Sequence, residues 1–214
     1  MQNINHKDLR EIFSKIKDVM NENKDFLFKL DSAMGDGDLG LTMANGFIEV
    51  DEALAEFNED KIGKIFIKAG MVLAEASPST MGTLIADGLI KGGIIVKDKL
   101  EVGLADLSLF FSEFVSRIII TGKAKSGEKT LVDSLYPAAK SLEESLIKNK
   151  NLKDSFKEAY EKAKIGFEST RDMISKYGRA KWYGDKSIGK EDPGAAAGML
   201  FIKAFYDYFK EKDN

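Results

Sequence analysis

Leu30-Asp31-Ser32-Ala33-Met34-Gly35-Asp36-Gly37-Asp38-Leu39-Gly40-Leu41-Thr42-Met43 sets three aspartates among glycines, between two segments whose apolar residues recur at helical spacing. Carboxylates gathered this closely repel one another, so a folded chain keeps them together only where a cation or strong donors neutralise them. Mg²⁺ is the natural candidate, because it takes hard oxygen ligands from one or two carboxylates together with substrate phosphates. The spacing Gly35-x-Gly37-x-x-Gly40 formally matches a dinucleotide fingerprint. That motif, however, leaves a buried strand and presents bare N–H groups to a pyrophosphate, whereas Phe26 to Leu30 is short and helical in pattern and Asp36 and Asp38 would repel phosphates. An EF-hand loop beginning at Asp36 fails as well, with Gly40 in the third ligand position and Phe47 in place of the closing glutamate. On this segment alone, a solvated acidic turn stands as the alternative.

A chain of 214 residues, 43% hydrophobic, can bury a sizeable core, and a single domain over residues 1–214 is expected. Lys+Arg 32 against Asp+Glu 35, without a long block of one sign, gives no nucleic-acid footprint. The absence of cysteine excludes a disulfide framework and a thiol nucleophile. No apolar run is long enough to span a bilayer and Met1 to Asp8 has no signal-peptide core, so a cytoplasmic protein is expected. His6 is the only histidine and lies at a helix start, so chemistry must rest on metal, carboxylates, backbone donors and Arg or Lys.

Outward from the aspartate loop the pattern is all-α. Leu9, Ile12, Phe13, Ile16, Val19 and Met20 form one stripe behind Asn5 as N-cap, and a short helical stretch leads through Phe26 to Leu30. Further helices are expected through Met43 to Leu54, Ile62 to Leu73, Leu84 to Ile90, Leu104 to Ile120, Leu131 to Ile147 and Leu152 to Ile174. Asp192-Pro193-Gly194 opens the last one as cap and first turn. About eight helices joined by short loops predict an antiparallel up-and-down bundle or closed barrel. Loops at alternate helix ends then share one face. These are the aspartate loop, Ala76 to Thr83, Thr121 to Thr130, and the loop from Arg179 to Pro193 within the long segment that begins at Tyr177. Ala76 to Thr83 reads equally as an anion site at a helix start or as plain capping by Ser77 or Ser79. Thr121 to Thr130 carries glycines and cations but lacks the spacing and preceding strand of a P-loop. Together the loops offer metal ligands, hydroxyls, cations and a roof, the parts that phosphoryl transfer needs.

The order of Leu30-Asp31, Gly35-Asp36-Gly37-Asp38, Ala76-Ser77, Gly82-Thr83, Gly122-Lys123-Ala124, Gly127-Glu128-Lys129-Thr130, Gly178-Arg179-Ala180, Ser187-Ile188-Gly189 and Asp192-Pro193-Gly194-Ala195 resembles the ADP-binding L subunits of dihydroxyacetone kinases over nearly the whole chain. The resemblance implies an eight-helix barrel with a nucleotide site in loops at one end, and two Mg²⁺ ions bridging the phosphates to Asp31, Asp36 and Asp38. It implies an ADP or ATP pocket lined by Gly40, Leu41, Thr42, Ala76, Ser77, Gly122, Leu131, Arg179, Asp192, Pro193 and Gly194, with Arg179 steadying the transferred phosphoryl group. The partners it implies are a K-type subunit that holds dihydroxyacetone through a histidine, an M-type phosphocarrier in the phosphoenolpyruvate-dependent systems, and a second copy in a homodimer. Another small ketose as acceptor, or a nucleotide-dependent regulatory module without turnover, are the alternative readings. The chain departs from the family pattern at Leu39, where a histidine is usual, and in the shortened loop Glu75 to Ser79.

Overall fold

The computed structural model describes residues 3–212. Helix α1 (His6–Glu22) is followed by a short α2 (Lys24–Ser32), then α3 (Leu39–Glu56), α4 (Ile62–Ala76), α5 (Thr80–Ile95), α6 (Leu104–Gly122), α7 (Val132–Ile147), α8 (Leu152–Ser169) and α9 (Pro193–Lys212). Packing runs α1 to α3, then through each successive helix to α9, and from α9 back to α1, so among the described residues eight long helices close a ring with α2 set against α3. Consecutive helices of the ring alternate in direction, across short connections and also across the long one between α8 and α9, where Thr170 meets Asp192.

Local chemistry starts the helices where the sequence places them. The Asn5 side chain accepts from the N–H groups of Lys7 (2.8 Å) and Asp8 (3.3 Å) while Asp8 accepts the Asn5 N–H (2.9 Å), a reciprocal capping box. The second Asp8 oxygen accepts the Tyr208 hydroxyl at 2.6 Å, which ties the last helix to the first and helps close the ring. Asp192 accepts the Ala195 N–H at 2.6 Å and Pro193 is the first residue of α9.

Phenylalanines fill the interior. Phe13, Phe66, Phe110, Phe111, Phe114, Phe156, Phe201, Phe205 and Phe209 form a continuous set of edge-on and stacked ring pairs, with Phe111 touching the rings of Phe110, Phe114, Phe156, Phe201 and Phe205. Helix α9 is buried on all sides from Gly194 to Ile202, as expected of a helix apolar around its circumference.

Two departures from the sequence reading arise from partners distant along the chain. Asn3–Asn5 and Glu101–Gly103 pair as a two-stranded antiparallel ribbon, β1 and β2, with Ile4 opposite Val102 and both buried. Helix α8 ends at Ser169, short of Ile174. The Thr170 hydroxyl donates to the Phe167 carbonyl (2.6 Å) and accepts the Asp192 N–H (2.9 Å), a 3-10 turn covers Thr170–Asp172, and Met173 is extended. No helix among the described residues is long and apolar enough to cross a membrane.

Phe111→Ala is expected to lower the unfolding free energy by about 3–5 kcal/mol in urea titration, whereas Trp182→Ala, at a side chain 81% exposed, changes it by less than about 0.5 kcal/mol.

Candidate functional site

Alternation of helix direction puts the starts of α3, α5, α7 and α9 at one end of the ring, beside the C-terminal ends of α4, α6 and α8. Contacts between the loops confirm the convergence. The Ser77 hydroxyl, at the end of α4, donates to the Thr42 carbonyl in the first turn of α3 at 2.7 Å. Leu84 lies against Gly122, and Met81 and the Leu131 backbone lie against Gly194. Lys190 donates to the Ala33 carbonyl at 3.1 Å, joining the long loop before α9 to the aspartate loop. Each helix start carries about half a positive charge and first-turn N–H groups without helical partners, so this end of the barrel attracts anions.

The aspartate loop stands at the edge of this end. Asp31, on the last turn of α2, and Asp36 and Asp38 each bring a carboxylate oxygen within 4.8 Å of the others. The Asp31 carboxylate also accepts the Leu39 N–H at 3.3 Å and so holds the start of α3. Gly37 has a φ of 78°, which an L side chain rarely adopts, and a Cβ at Gly40 would lie 2.1 Å from the Lys24 carbonyl oxygen; the loop can reverse and α3 can approach α2 only with glycine at both. Partial burial and then the charges of Asp36 and Asp31 push Asp38 above the ordinary aspartate range, against the opposing pull of Arg179. Arg179 pairs with Asp36. A set of hard oxygen donors whose own repulsion is incompletely relieved by one guanidinium fits a divalent cation such as Mg²⁺.

Residues 173–192 meet the aspartate loop through Arg179 and Lys190 and form two 3-10 turns over Arg179–Ser187, interrupted at Gly184, rather than open chain. Their anchor is Lys129, whose Nζ donates to the carbonyls of Met173 (3.2 Å), Ser187 (2.6 Å) and Lys190 (2.6 Å). Asp133 in turn shapes the loop before α7 by accepting the N–H groups of Gly127 (2.5 Å) and Thr130 (2.7 Å), and Glu128 accepts the Lys125 N–H at 2.9 Å.

The expected site residues therefore gather at one end: Asp31, Asp36, Asp38 and Arg179 at the acidic edge, Gly40, Leu41 and Thr42 on the first turn of α3, Ala76 and Ser77 beside them, and Gly122, Leu131, Asp192, Pro193 and Gly194 across the barrel mouth. Of the two readings of Ala76 to Thr83, the capping role belongs to Ser79, which accepts the Gly82 N–H at 3.0 Å, while Ser77 is buried and committed to Thr42. Sequence reasoning missed Lys129 and Asp133 as organisers of the loops. Thr130-Leu131-Val132-Asp133 does follow the spacing of a capping box, and that signal was available for Asp133. A groove of about 420 Å³ lies apart from the aspartates on the wall between α7 and α8, lined by Tyr136, Pro137, Lys140, Lys162 and Ile165 among others.

The barrel with an acidic, loop-built site at one end is a DAK2 domain: the profile of that domain matches residues 33–207. The chain belongs to the family of dihydroxyacetone kinase ADP-binding subunits. It is 31% identical over 186 residues to the PEP-dependent dihydroxyacetone kinase, ADP-binding subunit DhaL, of Escherichia coli, covering 87% of this chain and 89% of that one. It is 32% identical over 197 residues to the PTS-dependent dihydroxyacetone kinase, ADP-binding subunit DhaL, of Lactococcus lactis, covering 92% and 94%. The crystal structure of the dihydroxyacetone kinase from C. freundii in complex with AMP-PNP and Mg²⁺ shares the fold, with a TM-score of 0.70 at 23% identity, over 92% of this chain and 33% of that one.

Burial raises Asp192 to about 7, and the nearby Asp133 charge adds to the rise. In the unfolded chain the group returns to about 3.8, so the native state binds the proton more tightly and loses stability as pH climbs from about 4 through 7. Asp192→Asn keeps the cap without the charge. It is expected to flatten that slope, by an amount on the order of a few kcal/mol between pH 4 and 8, in urea titrations repeated across the range.

Proposed function

We propose that this chain is the nucleotide-binding, phosphoryl-transferring subunit of a dihydroxyacetone kinase, working on acceptor held by a K-type partner subunit. The observation that carries the reading is the meeting of Asp31, Asp36, Asp38 and Arg179 at the barrel end where four helix starts converge. The chain offers no histidine at this end, its single one being His6, so the covalent holding of a carbonyl acceptor falls to another protein. Either ATP or a phosphorylated M-type carrier protein would recharge the site.

In this reading Asp31, Asp36 and Asp38 hold two Mg²⁺ ions, which when bound neutralise the negative charge of the phosphates and polarise their oxygens. The residues of the chain supply the rest. First-turn N–H groups on α3 and α5 would receive the anionic end of the nucleotide, and the buried Ser77 holds the start of α3 against the end of α4 beneath it. Arg179, borne on the roof loop, has one carboxylate partner among the described residues and is 65% exposed, so its remaining guanidinium N–H groups are available to charge that develops on the moving phosphoryl group.

The test combines the purified chain with a K-type subunit, dihydroxyacetone and either ATP or a phosphorylated M-type protein, and measures triose phosphate. Turnover with one of the donors is expected. Asp36→Ala, at an exposed loop position, should reduce turnover about 100-fold or more while leaving the helical circular dichroism and unfolding midpoint close to the parent's. No product with either donor would overturn the assignment.

A further inference from the structure

Lys129 is 2% exposed, yet it carries an ammonium group, and its φ of 60° places a non-glycine residue in the left-handed region. Burial lowers its proton affinity, and no carboxylate among the described residues bonds it directly; its three hydrogens go to the carbonyls of Met173, Ser187 and Lys190. Those acceptors are the two ends of the roof loop. Neighbouring groups of the same segment grip the roof between them: the Tyr177 hydroxyl donates to the Lys123 carbonyl at 2.5 Å, and Lys176 pairs with Glu128 at 3.3 Å. Within the roof, the Ser187 hydroxyl accepts the Ser175 N–H (3.0 Å) and donates to the Gly184 carbonyl (2.6 Å). A desolvated ammonium spent wholly on backbone carbonyls, at a strained position, is costly unless the carbonyls it fixes must stay in place.

We propose that Lys129 is a positioning residue: its ammonium pins residues 173, 187 and 190 into one arrangement and thereby holds Arg179 at Asp36 and delivers Asp192 to the start of α9. The proposal rests on the phosphoryl-transfer reading for its consequence in catalysis, but its structural content stands apart from that reading. A methionine at 129 fills the same volume and leaves the carbonyls without donors, so the roof loosens while the phenylalanine core, in which Lys129 takes no part, stays packed.

Trp182 is the only tryptophan, and it lies on the roof with Tyr183 beside it, so fluorescence anisotropy and nicking by chymotrypsin after these two residues report the loop in the free protein, without metal, nucleotide or partner. Lys129→Met is expected to keep the helical signal and a cooperative urea transition. Nicking should accelerate about ten-fold or more and Trp182 anisotropy should fall, as for a segment released into local opening. Lys129→Arg, which retains charge and donors, should restore most of the protection. In turnover with the K-type partner, Lys129→Met should lower kcat as far as Arg179→Met does with a smaller change in the KM for nucleotide, and the double variant should be no slower than the slower single one. Unchanged nicking and anisotropy in Lys129→Met, or rate losses that multiply in the double variant, would overturn the proposal. Should Lys129→Met not fold, Lys129→Gln, with two donors on a shorter stem, replaces it: intermediate nicking supports the pin, and nicking equal to the parent's overturns it. Failure of the parent protein to turn over would sink the kinase reading, and the nicking comparison would still decide whether Lys129 holds the roof.

Discussion

Mutual repulsion among Asp31, Asp36 and Asp38 is the constraint around which this end of the barrel is arranged. One oxygen of each lies within 4.8 Å of the others, and Asp38 is displaced upward in proton affinity by partial burial and then by the charges of the other two. The protein answers with fixed positive charge: Arg179 on Asp36, the Leu39 N–H on Asp31, and the starts of α3, α5, α7 and α9 close by. These donors leave the cluster partly compensated. A site so balanced is suited to a ligand that brings both signs at once, divalent cations together with a polyphosphate.

The fold makes that concentration possible by simple alternation. In a closed ring of antiparallel helices every second connection falls at the same end, so no separate device is needed to assemble four loops from residues as far apart as Asp31 and Asp192. What alternation does not supply is rigidity of the longest loop. Here the buried polar groups matter: Lys129 and Asp133 are sunk at the barrel mouth and bonded to backbone groups of the loops, and Asp192 to the first turn of α9, so polar groups placed out of water are spent on fixing the loops and the helix start. Trp182 and much of the outer roof stay exposed, while the anchors beneath are dry.

Much of this was legible in the letters. Apolar residues recur at helical spacing from Leu9 to Phe167 because the helices around the ring turn a stripe toward the same phenylalanine core, and Asn5 and Asp192-Pro193 mark helix starts by side-chain chemistry that acts within three residues. The aspartates, glycines and Arg179 stood out because their types are costly or unusual in such density. The rest depended on distant partners. The ribbon pairs Asn3–Asn5 with a segment nearly a hundred residues away and is too short to alternate. The end of α8 is set by Thr170 bonding to Asp192, and the apolar Ile174 beyond it continues the helical period without the helix. Lys129 reads as one solvated lysine among many until the carbonyls of residues 173, 187 and 190 are seen around it.

The central claim is that the aspartate cluster binds a nucleotide diphosphate through divalent metal. Calorimetric titration of the purified, nucleotide-free chain with ADP, in Mg²⁺ and again in EDTA, tests it most directly. The account predicts saturable binding in Mg²⁺ that weakens by about two orders of magnitude or more when the metal is chelated. Equal affinity in both buffers, or no binding in either, would contradict it.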